Sequence, residues 1–326
     1  MSARPPHPAA IRPTAEAGAL AIGRARLHHA DCFDFLRACP PRSIHAIVTD
    51  PPYGLLEYSE SQQAKLRRGR GGVWRIPPAF DGRARAPLPR FIVLGPVDKA
   101  ALRDFFLDFG RLALAATRPG ANILVASIPL LVHIVASALE GAGLEPRGQI
   151  VRLVTTMRGG DRPKNAHEEF AGVSVMPRSM FEPWIVMRRP LEGRAQDSLR
   201  DLATGGFRRP SPAQPFGDVI RSHPTPPREK RIAPHPSLKP QAFLRQIVRA
   251  ALPLGAGVVL DPFAGSGSVR SRARASQAWP LDCRFAAAVI SARGAAACRL
   301  RERRRERDFE CRAGARGGSG DFRRPS

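Results

Sequence analysis

The chain has 326 residues, 43% of them hydrophobic, which marks a globular protein able to bury one large core or two small ones. No stretch approaches the roughly 20 apolar residues needed to span a bilayer, and Met1-Ser2-Ala3-Arg4-Pro5-Pro6-His7-Pro8 lacks the apolar core of a signal peptide, so a cytoplasmic location and no membrane partner are expected. The formal charge is +24, from 52 Lys and Arg against 28 Asp and Glu, a bias toward a polyanion such as nucleic acid; an Arg-rich proteome would give the same excess.

Residues 1–20 are rich in Pro and Ala and read as a disordered N-terminus. The first strand is expected near Ala25 to His29, followed by a helix from Asp31, whose carboxylate suits a helix start, and Pro40-Pro41 ends that segment. Ile44-His45-Ala46-Ile47-Val48 reads as a buried strand that delivers Thr49-Asp50-Pro51-Pro52-Tyr53-Gly54 to its carboxyl end. Residues 56–98 look irregular and basic. Arg67, Arg68, Arg70, Trp74 and Arg75 in this loop suit contacts to phosphates and bases, the alternative being a solvated insertion.

Phe105, Phe106, Phe109 and Leu112 at helical spacing predict an amphipathic helix from Asp98 to Ala116, broken at Arg118-Pro119-Gly120. A buried strand at Asn122 to Ser127, a helix to about Glu140 and a strand at Gln149 to Thr155 continue the alternation expected of a mostly parallel, doubly wound α/β sheet. Residues 157–235 break that rhythm, with one short strand at Trp184 to Met187. Their Gly, Pro and Arg content suits a DNA-recognition insertion carrying Arg158, Arg208 and Arg209, or ordinary surface loops.

His235-Pro236-Ser237-Leu238-Lys239-Pro240 then enters an amphipathic helix, and Gly257-Val258-Val259-Leu260 is a buried strand ending in Asp261-Pro262-Phe263-Ala264-Gly265-Ser266-Gly267-Ser268. Gly265 and Gly267 let backbone approach a ligand closely, and the helix expected after Ser268 offers unpaired N–H groups. Both motifs thus follow strands, where open α/β sheets bind ligands. The five cysteines, Cys32, Cys39, Cys283, Cys298 and Cys311, have no zinc-type spacing, so no metal is expected.

The first motif has a chemical use. Two prolines fix φ and remove two donors, so the turn is stiff and its carbonyls keep one direction. An exocyclic base amine is flat and weakly nucleophilic. If Asp50 accepts one of its N–H groups and the Pro51 carbonyl the other, the nitrogen is drawn toward a tetrahedral shape with its lone pair aimed at an incoming methyl. Tyr53 would stack on a base rotated out of the duplex, an interaction worth roughly 1–3 kcal/mol.

Together these residues resemble the adenine-specific (N6) DNA methyltransferases that use S-adenosylmethionine, in the group whose catalytic Asp-Pro-Pro-Tyr motif precedes its cofactor loop. The resemblance covers most of residues 25–269. It implies a Rossmann-like methyltransferase fold, with Asp50, Pro51, Pro52 and Tyr53 as the catalytic motif. Asp261, Phe263, Gly265, Gly267 and Ser268 would bind the cofactor, and Lys239 and Pro240 would help close its pocket. Asp31 looks like the acidic position that meets the cofactor's adenine; a helix cap explains it equally well.

The implied organisation is 21–156 as the catalytic half, 157–235 as a target-recognition insertion, 236–269 as the cofactor-binding half and 270–326 as an atypical tail. Double-stranded DNA is the implied substrate, while a homodimer and a companion restriction endonuclease are left open. N4 of cytosine is the nearest rival to N6 of adenine, because the same geometry serves both amines. More distant readings are an RNA or protein-glutamine methyltransferase, and a catalytically impaired DNA-binding remnant.

The resemblance stops after Val269. The family continues with a second strand ending in an acidic residue for the ribose, about 20 residues past the Gly-rich turn. This chain instead has Arg270-Ser271-Arg272-Ala273-Arg274, with no convincing strand before Asp282, and an Arg-rich stretch without Lys to its end. A shifted reading frame in a GC-rich gene would produce such a tail, as would divergence into a basic DNA-binding extension. Loss of the second strand is expected to expose a sheet edge.

Overall fold

Strands β1 (Leu20–Ile22) and β2 (Ala25–His29) pair antiparallel. Helix α1 (Cys32–Ala38) starts where Asp31 caps it, its Oδ1 accepting from Phe33 N at 2.9 Å and Asp34 N at 3.2 Å. The protein is seen here as a computed structural model that describes residues 20–22, 25–51, 79–80, 83–84, 95–158, 163, 166–175, 177, 179–232, 238–264 and 283–289. Strand β3 (Ile44–Thr49) is buried along its whole length, as a central parallel strand covered on both faces must be. Strands β4 (Ala79–Phe80) and β5 (Arg83–Ala84) form a separate two-stranded ribbon in the expected loop.

Helix α2 (Pro96–Ala116) begins two residues earlier than its apolar spacing predicts. Pro96 has the φ a first turn requires, and Asp98 accepts from Gly95 N at 3.1 Å. It buries Leu102, Phe106 and Phe109, with Phe105 and Leu112 packed partly against the same core. Strand β6 (Thr117–Ala126) follows without a loop, longer than expected because Pro119-Gly120 is absorbed into it. Helix α3 (Val132–Gly141) leads to β7 (Glu145–Arg158), also longer than expected; its register shifts between Pro146 and Gln149.

The short strand expected at Trp184 is the end of β8 (Ser179–Arg188), which runs ten residues. Its entry was hidden because Ser179, Glu182 and Pro183 do not read as buried strand, yet Glu182 is 6% exposed and neutralised by its neighbours. Helix α4 (Ala195–Leu202), strand β9 (Val219–Ser222), helices α5 (Pro227–Ile232) and α6 (Gln241–Ala251), and strand β10 (Gly257–Asp261) follow. The last described strand is β11 (Cys283–Val289), parallel to both β10 and β2. The expectation that no second strand fills this place is therefore corrected. The strand lies after Asp282, where three consecutive alanines, Ala286 to Ala288, leave only Phe285 and Val289 as residues that signal a strand in sequence.

The nine-stranded sheet has the order β1-β2-β11-β10-β3-β6-β8-β7-β9. All strands from β2 to β9 run parallel except β8, which is antiparallel to both β6 and β7. Alternate residues divide the core. Ile44, Ile47, Ile123 and Val125 face α1, α2 and α3, while Ala46, Val48, Leu124 and Ala126 face α6. This is the doubly wound arrangement expected from the sequence.

The centre of the sheet is tied at the amino end of β10. Val258 N donates to Nδ1 of the buried His45 at 3.0 Å, and Gly257 (φ +146°) leaves room for that ring, since a Cβ there would lie 2.8 Å from it. Burial first, then the nearby Arg118 charge, pushes the His45 pKa down to about 3, so the ring is a neutral acceptor. From β3 the chain moves toward β6, and from β10 it moves toward β11. Their carboxyl ends therefore flank a topological switch point, the crevice where open α/β sheets bind ligands.

Candidate active site

Asp50 and Asp261 meet at that crevice because β3 and β10 are neighbours in register, Leu260 opposite Ile47. Thr49 Oγ1 donates to Asp261 Oδ1 at 2.6 Å, and Phe263 N donates to the same oxygen at 3.2 Å. Burial pushes the Asp261 carboxyl up to about 7; those two hydrogen bonds oppose the rise and the Asp50 charge adds to it. A buried acid that gives up its proton reluctantly favours a positively charged ligand beside it.

Asp50 is the first residue past β3, its side chain 21% exposed, and Lys239 Nζ donates to its Oδ2 at 2.6 Å. Lys239 is itself buried, and its ammonium lies 3.7 Å from Glu182 Oε2 on β8. Burial disfavours the charge on Lys239, but the carboxylates of Asp50 and Glu182 outweigh it and raise its pKa above that of an ordinary lysine. Arg152 on β7 donates to Glu182 Oε2 at 3.1 Å, and Trp184 Nε1 donates to Glu182 Oε1 at 3.0 Å. Arg152 also donates to Ser222 Oγ at 3.1 Å and stacks over the Phe243 ring, 5.4 Å from its centroid.

The segment carrying Lys239 is fixed at both sides. The Thr225 hydroxyl donates to the Leu238 carbonyl, and Glu229 accepts from Gln241 N at 3.0 Å in the first turn of α6, where a carboxylate is favoured. Pro240 is the N-cap of α6, its carbonyl accepting from Phe243 N and Leu244 N at 3.2 Å.

The structure thus brings Asp50, Pro51, Lys239, Pro240, Asp261 and Phe263 to one end of the sheet. The Phe263 ring packs between Phe105 (6.0 Å) and Phe109 (5.6 Å). Asp31 serves as the cap of α1. Arg208 is placed elsewhere: its guanidinium lies against Gly255, before the amino end of β10, away from Asp50. Arg209 is exposed, and Arg158 is the last residue of β7. Pro52, Tyr53, Gly265, Gly267, Ser268, Arg67, Arg68, Arg70, Trp74 and Arg75 lie outside the described residues, as does most of the tail.

Three residues of the site escaped the sequence reading as site residues: Thr49, Arg152 and Glu182. The signal was a single Arg inside Ile150-Val151-Arg152-Leu153-Val154 and a single Glu before Pro183-Trp184, each a charge in a run that otherwise reads as buried strand. Among the described residues, no group of three His, Cys, Asp or Glu side chains could hold a metal, and no helix is long and apolar enough to cross a membrane.

A mostly parallel sheet with a reversed strand, here β8, between parallel β6 and β7, and a switch-point crevice between two central strands, is the class I methyltransferase fold. The PvuII DNA methyltransferase, described as cytosine-N4-specific, shares it at 12% identity and a TM-score of 0.52, over 85% of this chain and 86% of that one. A complex of M1.HpyAVI with S-adenosylmethionine aligns at 14% identity and a TM-score of 0.46, over 86% of this chain and 99% of that one. Residues 155–277 match the sequence profile of the N6/N4 DNA methylase family, described as DNA methylase. That match runs from β7 through β8, α6 and β10 past the Gly-rich sequence motif, and Asp50 lies outside it. No curated protein matches the sequence.

Proposed function

We propose that this chain transfers a methyl group from S-adenosylmethionine to the N6 amine of adenine in a short sequence of double-stranded DNA. The observation that carries the reading is the junction of Asp50 and Asp261, joined through Thr49 at the switch point of the sheet. One carboxylate suits an amine and the other suits a cation, and adjacent strands bring the two to the same end of the sheet.

S-adenosylmethionine fits the crevice because Asp261 is a buried acid suited to a cationic ligand, and Phe263 with Gly265, Gly267 and Ser268 follows it directly in the chain. Bound there, it supplies a methyl group on a positively charged sulfur, which leaves as a neutral thioether when the C–S bond breaks. Asp50 accepts one N–H of the target amine and the Pro51 carbonyl accepts the other, so the lone pair turns toward the methyl. As the N–C bond forms, the nitrogen has one proton too many, and Asp50 is placed to pass it to solvent. Tyr53 stacks on the extruded base, and the basic loop around Arg67 to Arg75 follows the phosphates.

Adenine is favoured over cytosine by the leading Asp50, through family resemblance. The test is Asp50→Ala. It should reduce methyl transfer by on the order of 100-fold or more, the scale of a lost proton-handling group, while cofactor and DNA affinities stay unchanged. Turnover at the wild-type rate would refute the role of Asp50.

A further inference from the structure

Beneath Asp50 lies a line of four charges drawn from four elements: Asp50 after β3, Lys239 before α6, Glu182 on β8 and Arg152 on β7. Their signs alternate, so the group is neutral as a whole, which is the condition for keeping charges out of water. The side chains of Lys239, Glu182 and Arg152 are 8%, 7% and 2% exposed. The sequence motif around Lys239 and Pro240 suggested a wall of the cofactor pocket. The geometry points elsewhere.

We infer that Lys239, anchored by Glu182 and Arg152, is a positioning residue for Asp50, and that these two strand residues set where the amine-accepting carboxylate points. This rests on the proposed methyltransferase reading. Arg152 is held from four sides, by Glu182, the Ser222 hydroxyl, the His223 carbonyl and the Phe243 ring. Glu182 is held by Arg152 and by the indole N–H of Trp184, itself fully buried. Two strands that do not carry the catalytic motif therefore fix the place of the Lys239 ammonium.

Lys239 in turn binds Oδ2 of Asp50, which restrains rotation of that carboxylate about its Cβ–Cγ bond. Asp50 has to meet an N–H on a base swung out of the duplex, and alignment of the acceptor decides how far the amine is reshaped. A misplacement of about 1 Å in such a group costs on the order of 100-fold in rate. A lysine ammonium delivers a point charge on a flexible stem, and the Glu182 carboxylate 3.7 Å away helps to place it. Asp261, a further carboxylate described at this end of the sheet, accepts from Thr49 and feels the Asp50 charge without bonding to Lys239.

The experiment compares Lys239→Met, Lys239→Arg and Glu182→Gln with wild type in the full chain. Single-turnover transfer to unmethylated DNA, cofactor affinity by calorimetry and thermal unfolding are all measured. Lys239→Met should slow transfer on the order of 100-fold at unchanged cofactor affinity, Glu182→Gln should lose less, and Lys239→Arg should recover most of the rate. A weakened cofactor affinity with the saturating rate intact would overturn the inference and return Lys239 to the cofactor pocket. Equal losses in the Met and Arg variants, tracking lower melting temperatures, would also overturn it as a merely structural role.

A second readout needs no turnover. The Lys239 ammonium, followed by nitrogen-15 NMR, faces Asp50, Glu182 and Arg152, and it should titrate lower in both Asp50→Asn and Glu182→Gln. A midpoint that does not move in either variant would overturn the inference even if the wild-type protein methylated nothing. Absence of methylation in wild type, with the midpoint moving as expected, would count against the methyltransferase reading alone.

Discussion

Asp261 shows how a residue can be placed at the end of a central strand by its sequence and still hold a property invisible in sequence. Its place after Val258-Val259-Leu260 is legible, because an apolar run must end where ligand begins. Its proton affinity is not, since that depends on burial and on Asp50, 211 positions away in the chain but brought near by the pairing of β3 with β10. The unfolded carboxyl releases its proton near the ordinary value of 3.8, whereas the folded one holds it to about 7. The folded state therefore binds more protons across that window, and the residue's contribution to stability is lost as pH rises through it. A cationic cofactor reverses the preference. Affinity for S-adenosylmethionine should rise about tenfold per pH unit below 7 and level off above it, by the same proton linkage. Calorimetry from pH 5.5 to 8.5 checks this. Asp261→Asn should flatten the dependence, and a wild-type affinity independent of pH would contradict the assignment.

At the scale of elements, strands and helices with regular apolar spacing were legible: β3, α2, β6, α6 and β10 fall on the segments their side chains predict, with α2 and β6 starting earlier. The misses have physical causes. β8 hides Glu182 and Pro183 in its entry, β9 is only four residues long, and three of the seven residues of β11 are Ala. Helix packing was equally hidden, because the closest approach of α2 to α3 turns on an absent side chain. A Cβ on Gly110 would lie 2.6 Å from the Ala142 Cβ just past the end of α3, closer than real Cβ atoms come, and 3.4 Å from Leu139 Cδ2. Gly110→Ala gains helix propensity but must push α3 away. It is expected to destabilise the fold by about 1–3 kcal/mol, the scale of overpacking a core. Urea unfolding measures the change. A midpoint at or above wild type would mean that the two helices part freely.

Over the whole molecule, the sheet gathers into one crevice what the chain keeps far apart. Asp50 comes from the first fifth of the sequence, Glu182 and Arg152 from its middle, and Lys239 and Asp261 from beyond residue 235. Motif reading found the ends of the two central strands because Pro and Gly mark turns in any sequence. It missed the charges behind them because only the fold shows which strands run beside β6. The second strand beside β10 is filled by β11, so the sheet continues to β2 rather than ending at β10. In the sequence, no acidic residue lies between the end of that strand at Val289 and Glu302, and Asp282 immediately precedes the strand. The proposed amine methylation rests on the two carboxylates that the central strands bring to one end of this sheet. Incubation of the purified protein with radiolabelled S-adenosylmethionine and unmethylated genomic DNA, followed by digestion to nucleosides, tests this most directly. Label in N6-methyladenine is the predicted result; label in N4-methylcytosine would contradict the choice of base, and DNA left without label would contradict the enzyme.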